Sequence, residues 1–380
     1  MEKSKVYFTN FRTAANGDSV PIKLKGLIKE AGIADLDLEG KFVAIKMHFG
    51  EMGNLGFLRP NFAKAVVDVV YELGGKPYLV DCNTLYPGSR KNGIDHLFCA
   101  WENGFSPLSV GCPIFIGDGI KGLDDAELPV IGGTETDVAY IGRAVADADV
   151  VISLNHFKGH EMTGFGGALK NLGMGCGSRR GKKFMHSSSK AEIDESLCRG
   201  CKRCQKVCAN NGLVYDESKK KMTIDEKHCA GCGRCIAACS FDAISFANSN
   251  SSDVLKRRIV EYAKAVCGIG PNFHINVAMD ITPDCDCHCQ SDVPIIPDVR
   301  MFASKDPVAI DSACMDACRD LKPVAASELA EKMRAPGFVD RKDPFTNARP
   351  LSSWYQQLEH GEEIGLGSKE YELIELDLAK

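Results

Sequence analysis

The sequence predicts an α/β protein: a mostly parallel sheet with helices on both faces, interrupted by a small α+β insert. Three observations carry this. Short apolar runs alternate with segments of helical periodicity, the pattern of parallel strands buried on both faces. The 380 residues suffice for a large core and for two domains. A segment dense in cysteine, about 186–248, breaks the alternation.

The elements follow in order. "KFVAIKMHFGE" (41–51) holds a short apolar strand ending near Met47. "RPNFAKAVVDVVYELGG" (59–75) has helical periodicity and a Gly74-Gly75 stop. "KPYLVDCN" (76–83) is a second strand, and a Gly-rich irregular region runs through "VGCPIFIGDGIKG". "TETDVAYIGRAVADAD" (134–149) reads as a helix and "VVISLN" (150–155) as a continuous apolar strand. Beyond the cysteines, "NSNSSD" (248–253) is a polar junction, "SDVLKRRIVEYAKAVCG" (252–268) a helix and "FHINVAMDI" (273–281) a strand. "DVRMFASKDPVAIDSACMDAC" (298–318) reads as a strand and then a helix, with Asp306 at the N-cap and Pro307 at the first helical position. The layout expected is an α/β host over 1–185 and 249–325, an insert over 186–248, and a helical, polar tail over 326–380.

Hydrophobic residues at 44% and charged residues at 26% are ordinary for a globular protein, and a net charge of −5 gives no reason to expect nucleic acid or an anionic membrane as partner. The start, "MEKSKVYFTNFRTAANGDS", lacks an apolar signal core, and no run of 18 apolar residues exists, so a cytoplasmic protein without membrane insertion is expected. Eighteen cysteines in a chain of this length, clustered at short spacing, favour metal ligation in a reducing compartment over disulfides.

Two cysteine runs, "SLCRGCKRCQKVCANNG" (196–212) and "KHCAGCGRCIAACSFDA" (227–243), repeat at an offset of 31 residues. Ile193-Asp194-Glu195 matches Ile224-Asp225-Glu226, and Gly200 and Arg203 match Gly231 and Arg234. Each run has the spacing C-x2-C-x2-C-x3-C, in which a close triplet wraps one four-iron cluster and the fourth cysteine reaches the other. This assigns one [4Fe-4S] cluster to Cys198, Cys201, Cys204 and Cys239, and a second to Cys229, Cys232, Cys235 and Cys208. Zinc, the rival, prefers two separated C-x2-C knuckles. Two neighbouring clusters in a duplicated unit suit electron transfer better than bracing a fold.

Polar residues gather after the predicted strands: His48 and Glu51; Asp81, Cys82 and Asn83; Asn155, His156, Lys158, His160, Lys170 and Asn171; then "TPDCDCHC". In an open parallel sheet these positions share the carboxyl edge, where ligands bind. Lys158 and Lys170 offer charge for a small anionic substrate, His156 and His160 metal ligation or proton transfer, and "TGFGGALKN" a helix N-terminus near the edge for an anion. These four side chains are the candidate catalytic set, against the plainer reading of turns and surface histidines. In "CDCHC", an extended segment would put Cys285, Cys287 and Cys289 on one face, for a third Fe–S cluster or a single soft metal, with Cys176, Cys314 or Cys318 as further ligands and His288 turned away. Asp306 and Asp311 are expected to serve the helix they begin, and Cys99, Cys112 and Cys267 to be small buried side chains.

"HFKGHEMTGFGGALKNLGMG", "DITPDCDC" and "SKDPVAIDSACMDA" resemble the hallmark segments of the DUF362 family, over most of residues 40–320. "CRGCKRCQKVCA" and "CAGCGRCIAAC" resemble a bacterial-type two-cluster ferredoxin domain inserted in it, although Ala209 and Ser240 stand where proline usually follows the fourth cysteine. The resemblance implies cluster binding and an α/β host, but no reaction. The expectation is an anaerobic iron–sulfur oxidoreductase that takes low-potential electrons from a redox partner protein to the sheet-edge site. The alternatives are a non-catalytic electron carrier and a redox sensor or maturation factor.

Overall fold

The computed structural model describes residues 3–85, 88–187, 191–208, 210–229, 231, 234–239, 241, 243–246 and 249–378. Eight strands form the main sheet: β1 (Ser4–Thr9), β2 (Phe42–Lys46), β3 (Lys76–Asp81), β4 (Ile114–Ile116), β5 (Val150–His156), β6 (Asn272–Ala278), β7 (Arg300–Ser304) and β8 (Tyr371–Glu375). Their order is β8-β1-β7-β6-β5-β2-β3-β4. Only β7 runs antiparallel to its neighbours. The α/β class with a mostly parallel sheet is as expected.

Helices cover both faces because successive residues of each buried strand point opposite ways. Val43 and Ile45 of β2 pack with α1 (Val20–Glu30) and α2 (Pro60–Glu72), while Ala44 between them packs on the other side. That second side holds α3 (Ala168–Cys176), α4 (Ser249–Cys267), α5 (Pro307–Arg319) and α6 (Tyr355–Glu363). Asp306 caps α5, accepting from the N–H groups of Val308 and Ala309 at 2.8 and 2.9 Å, with Pro307 following it.

Two stretches depart from expectation. The helix read over 134–149 is a strand, Val138–Gly142, followed by one turn, Arg143–Ala146. Ala139 and Ile141 are buried between half-buried Val138 and Tyr140, a period of two, and the strand pairs antiparallel with Asp125–Pro129. The tail is helical in part, but it ends in β8, which lies parallel to β1 and extends the sheet.

The cysteine-rich stretch repeats in three dimensions as it does in sequence. Strand Ala191–Ile193 pairs with Ile244–Phe246, and Leu213–Asp216 pairs with Lys221–Ile224, so each repeat lends a strand to the other. Single turns Arg203–Lys206 and Arg234–Ala237 keep the 31-residue offset. The matched Gly200 and Gly231 both adopt left-handed backbone, φ 63° and 69°, where a side chain would be strained.

Candidate functional site

A cavity opens where β2, β3 and β5 end. Its lining includes Lys46 at the end of β2 and His48 beyond it, Asp81 at the end of β3 and Cys82 beyond it, and His156, Lys158 and His160 around the end of β5. Lys170 and Asn171 come from α3, and Cys285, Asp286 and Cys287 from the turn after β6. Strands Lys158–His160 and Gly164–Gly166 form the hairpin that carries the chain from β5 into α3. Asn171 locks this corner: its Nδ2 donates to the carbonyls of Lys46 and Leu154, and its Oδ1 accepts from Lys46 Nζ at 2.7 Å.

Cys285 is the most strongly polarised group. Lys170 Nζ donates to its Sγ at 3.2 Å. The Cys287 thiol beside it holds Cys285 well below the usual thiol range; burial opposes this, and the ammonium groups of Lys170 and Lys158 and the His160 ring reinforce it. The same contact, with burial, pushes Cys287 far up, so Cys287 keeps its proton and donates it to the Cys285 thiolate. His160 Nδ1 accepts from the N–H groups of Met162 and Thr163, both at 3.1 Å, which leaves the proton on Nε2, the nitrogen available to Cys285.

His156 sits between acceptors. Its Nδ1 lies 3.0 Å from both oxygens of Asp286 and its Nε2 2.7 Å from the Met279 carbonyl, so each nitrogen faces an oxygen acceptor. Burial works against the Asp286 carboxylate, but His156 and Lys158 bring it down to about 2. Lys46 pairs with Asp81 at 3.0 Å, both buried. Arg90, 2% exposed, binds Glu51 through Nε at 3.2 Å, while its Nη2 has no hydrogen-bond partner among the described residues. His48 accepts the Gly50 N–H on Nδ1 at 2.9 Å, and its buried Nε2 likewise has none. Five cations, Lys46, Arg90, Lys158, Lys170 and Lys182, face the cavity against the carboxylates of Asp81 and Asp286 and the Cys285 thiolate. Cationic excess and orphaned donors make the cavity receptive to an anion.

The helix N-terminus expected to serve an anion is already occupied. Asp311 accepts from the N–H groups of Ala168 and Leu169 at 2.8 and 3.0 Å, capping α3 rather than the helix that carries it.

In the cysteine-rich stretch, Cys198, Cys201, Cys204 and Cys239 line one small cavity together with Met222, Ala243 and Ile244. The Met222 N–H points at Cys198 Sγ, 3.5 Å away. In the other half the Gly212 N–H donates to Cys208 Sγ at 3.2 Å, and Gly212 lies close against the backbone of Cys229, leaving little room for a side chain. Cys235 packs into the same small apolar cluster; Cys232 lies outside the described residues. Cys201 is exposed. One residue joins the two regions. His186, on helix Arg179–His186, lines the large cavity and hydrogen-bonds the backbone of Gly231, between Cys229 and Cys235. Burial takes its ring down to about 4 and keeps it neutral.

A family model described as "Domain of unknown function (DUF362)" matches residues 43–316. The chain belongs to the DUF362 family. No curated protein matches it. Among solved structures, the lactate racemase apoprotein of Thermoanaerobacterium thermosaccharolyticum is similar at TM-score 0.41 and 11% identity, over 97% of this chain and 82% of that one. A protein of Thermotoga maritima is similar at TM-score 0.32 and 13% identity, over 68% of this chain and 50% of that one.

In this DUF362 chain His156, Lys158, His160, Lys170, Cys285 and Cys287 meet in one cavity. Cys289 does not join them. Residues 285–289 turn instead of extending, and Cys289 is exposed with its thiol on Gln290 Oε1 at 3.1 Å. His288, expected to point away, has a ring nitrogen near Cys287 Sγ and a Glu161 oxygen, all within 4.8 Å of one another. Cys176, Cys314 and Cys318 are buried outside the cavity lining. Arg90, Lys182, His186, Asp286 and Glu161 were missed. Asp286, inside "CDCHC", and Glu161, inside "HFKGHEMTGFGGALKNLGMG", stand in stretches singled out for their chemistry; the other three do not.

Proposed function

We propose that the protein is an iron–sulfur oxidoreductase of a reducing compartment, in which electrons from a redox partner protein reach a small anionic substrate in the sheet-edge cavity. Cys198, Cys201, Cys204 and Cys239 would hold one [4Fe-4S] cluster, and Cys229, Cys232, Cys235 and Cys208 the other. The fit rests on four thiols around one small cavity and on backbone N–H groups aimed at Cys198 and Cys208 Sγ, which suit thiolate acceptors. Such clusters, when bound, supply one-electron transfer at potentials tuned by hydrogen bonds to sulfur and by exposure. The exposed Cys201 side is where a partner would dock.

The observation that carries the reading is His186, which touches the second cysteine loop and the cationic cavity at once. Within that cavity Lys158, Arg90 and the Nε2–H of His48 would bind and orient the anion, while His160 Nε2 and Cys287 hold protons near it.

Anaerobic reconstitution, with iron and sulfide counting and EPR after reduction, tests this. Two four-iron clusters are expected, and Cys204→Ala should remove one. Zinc in the cysteines with no cubane signal would overturn the reading. Lys158→Met with Lys170→Met should keep both clusters reducible and abolish substrate turnover. Full physiological activity in that variant would favour the carrier role.

A further inference from the structure

We propose a mononuclear site for zinc or a similar borderline divalent ion, formed by Glu161, Cys287 and His288 beside the cavity. A carboxylate oxygen, a sulfur and a ring nitrogen, one from each, lie within 4.8 Å of one another. The site is buried: the Glu161 and His288 side chains are 6% and 9% exposed, and Cys287 is 8% exposed. It uses none of the eight cysteines of the duplicated loops, so it stands independently of the iron–sulfur reading.

The ligands come from two distant stretches, and each is held from behind. The His160 ring, accepting from the Met162 and Thr163 N–H groups, braces the turn that presents Glu161. Asn54 Nδ2 donates to the His288 carbonyl at 3.0 Å and braces the other turn. Such support behind the ligands is what gives a metal site its geometry.

The plainer reading is a buried ion pair, Glu161 with His288, at 3.2 Å. That accounts for one carboxylate oxygen only. Glu161 Oε2 is buried and accepts no hydrogen bond among the described residues; His160 Nε2 is 3.7 Å away, too far to donate well. An acceptor left open inside a protein is costly, and a cation held by the Glu161 carboxylate, Cys287 and His288 would offset that cost. A mixed oxygen, nitrogen and sulfur set selects zinc or a neighbouring ion, and three protein ligands leave a position for water or a ligand. On binding, the Cys287 S–H gives its proton to solvent and the ion takes its place. Cys285 is left to Lys170. Because Cys287 also lines the cavity, the ion adjoins the anion site.

The test uses the iron-reconstituted full chain, loaded with zinc, desalted and assayed for both metals, with zinc-edge X-ray absorption. One zinc is expected, with a single sulfur neighbour and otherwise nitrogen and oxygen. Cys287→Ser, His288→Gln and the near-isosteric Glu161→Gln should each weaken zinc retention by about tenfold or more, with iron unchanged. No retained zinc, an all-sulfur shell, or retention unaffected by all three substitutions would overturn the site. Failure of the iron–sulfur reading would appear separately, in the iron count.

Discussion

Asp311 shows how one buried side chain sets a pH dependence. It accepts from two N–H groups of α3 and from Asn276 Nδ2, yet burial dominates and pushes its carboxyl up to about 6. A carboxyl raised above its unfolded value binds its proton more tightly in the folded state. Its contribution is therefore complete below about pH 4 and fades as pH rises through about 6, a change of at most ~3 kcal/mol. Asp311→Asn should remove this term. Urea unfolding at several pH values should show wild type gaining on the variant as pH falls from about 7 to about 4. A pH-independent difference would mean that the carboxyl titrates normally. Arg90 and Lys46 make the complementary point: their buried partners Glu51 and Asp81 need them, so removing either cation would leave a buried carboxylate short of its partner.

The contact of α3 with α4 positions Lys170 and Asn171 at the element scale. Gly173 lies against α4 so closely that a Cβ there would collide with the Ile259 carbonyl. Replacing an interior helical glycine by alanine ordinarily gains up to ~1 kcal/mol. Here Gly173→Ala should instead destabilise by roughly 1–3 kcal/mol, since overpacking forces the helices apart. Denaturant unfolding reads the sign, and a gain would refute the close crossing. The displacement would carry Lys170 away from Cys285, so loss of the cavity chemistry should accompany it.

Across the whole molecule the sheet is completed by its last strand. β8 hydrogen-bonds along β1 from Ser4↔Tyr371 to Phe8↔Glu375. Removing residues 369–380 would leave β1 as a bare edge, open to pairing with other chains. The truncated protein is expected to unfold at lower denaturant and to associate with rising concentration in light scattering. Unchanged stability and size in solution would show that the strand adds little. No helix among the described residues is long and apolar enough to cross a membrane.

The sequence alone determined the features written in short-range periodicity. Apolar runs located β2, β3 and β5, and of the polar residues at their ends His48, Asp81, Cys82, His156, Lys158 and His160 line the cavity. The 31-residue offset announced paired strands and turns that recur in space. Local patterns record which side of an element is buried, and therefore little else. Only the tertiary structure decided that Asp311 caps a helix some 140 residues upstream, that Arg90 and Asp286 join the cavity, and that Glu161 meets Cys287 and His288. It also sent Cys289 outward, because the turn at 285–289 breaks the two-residue alternation assumed for a strand. β8, half exposed and rich in glutamate, has its reason in β1, more than 360 residues away. Such pairings are enforced by the cost of unpartnered charge and backbone in a dry interior, a cost that arises once the chain has folded.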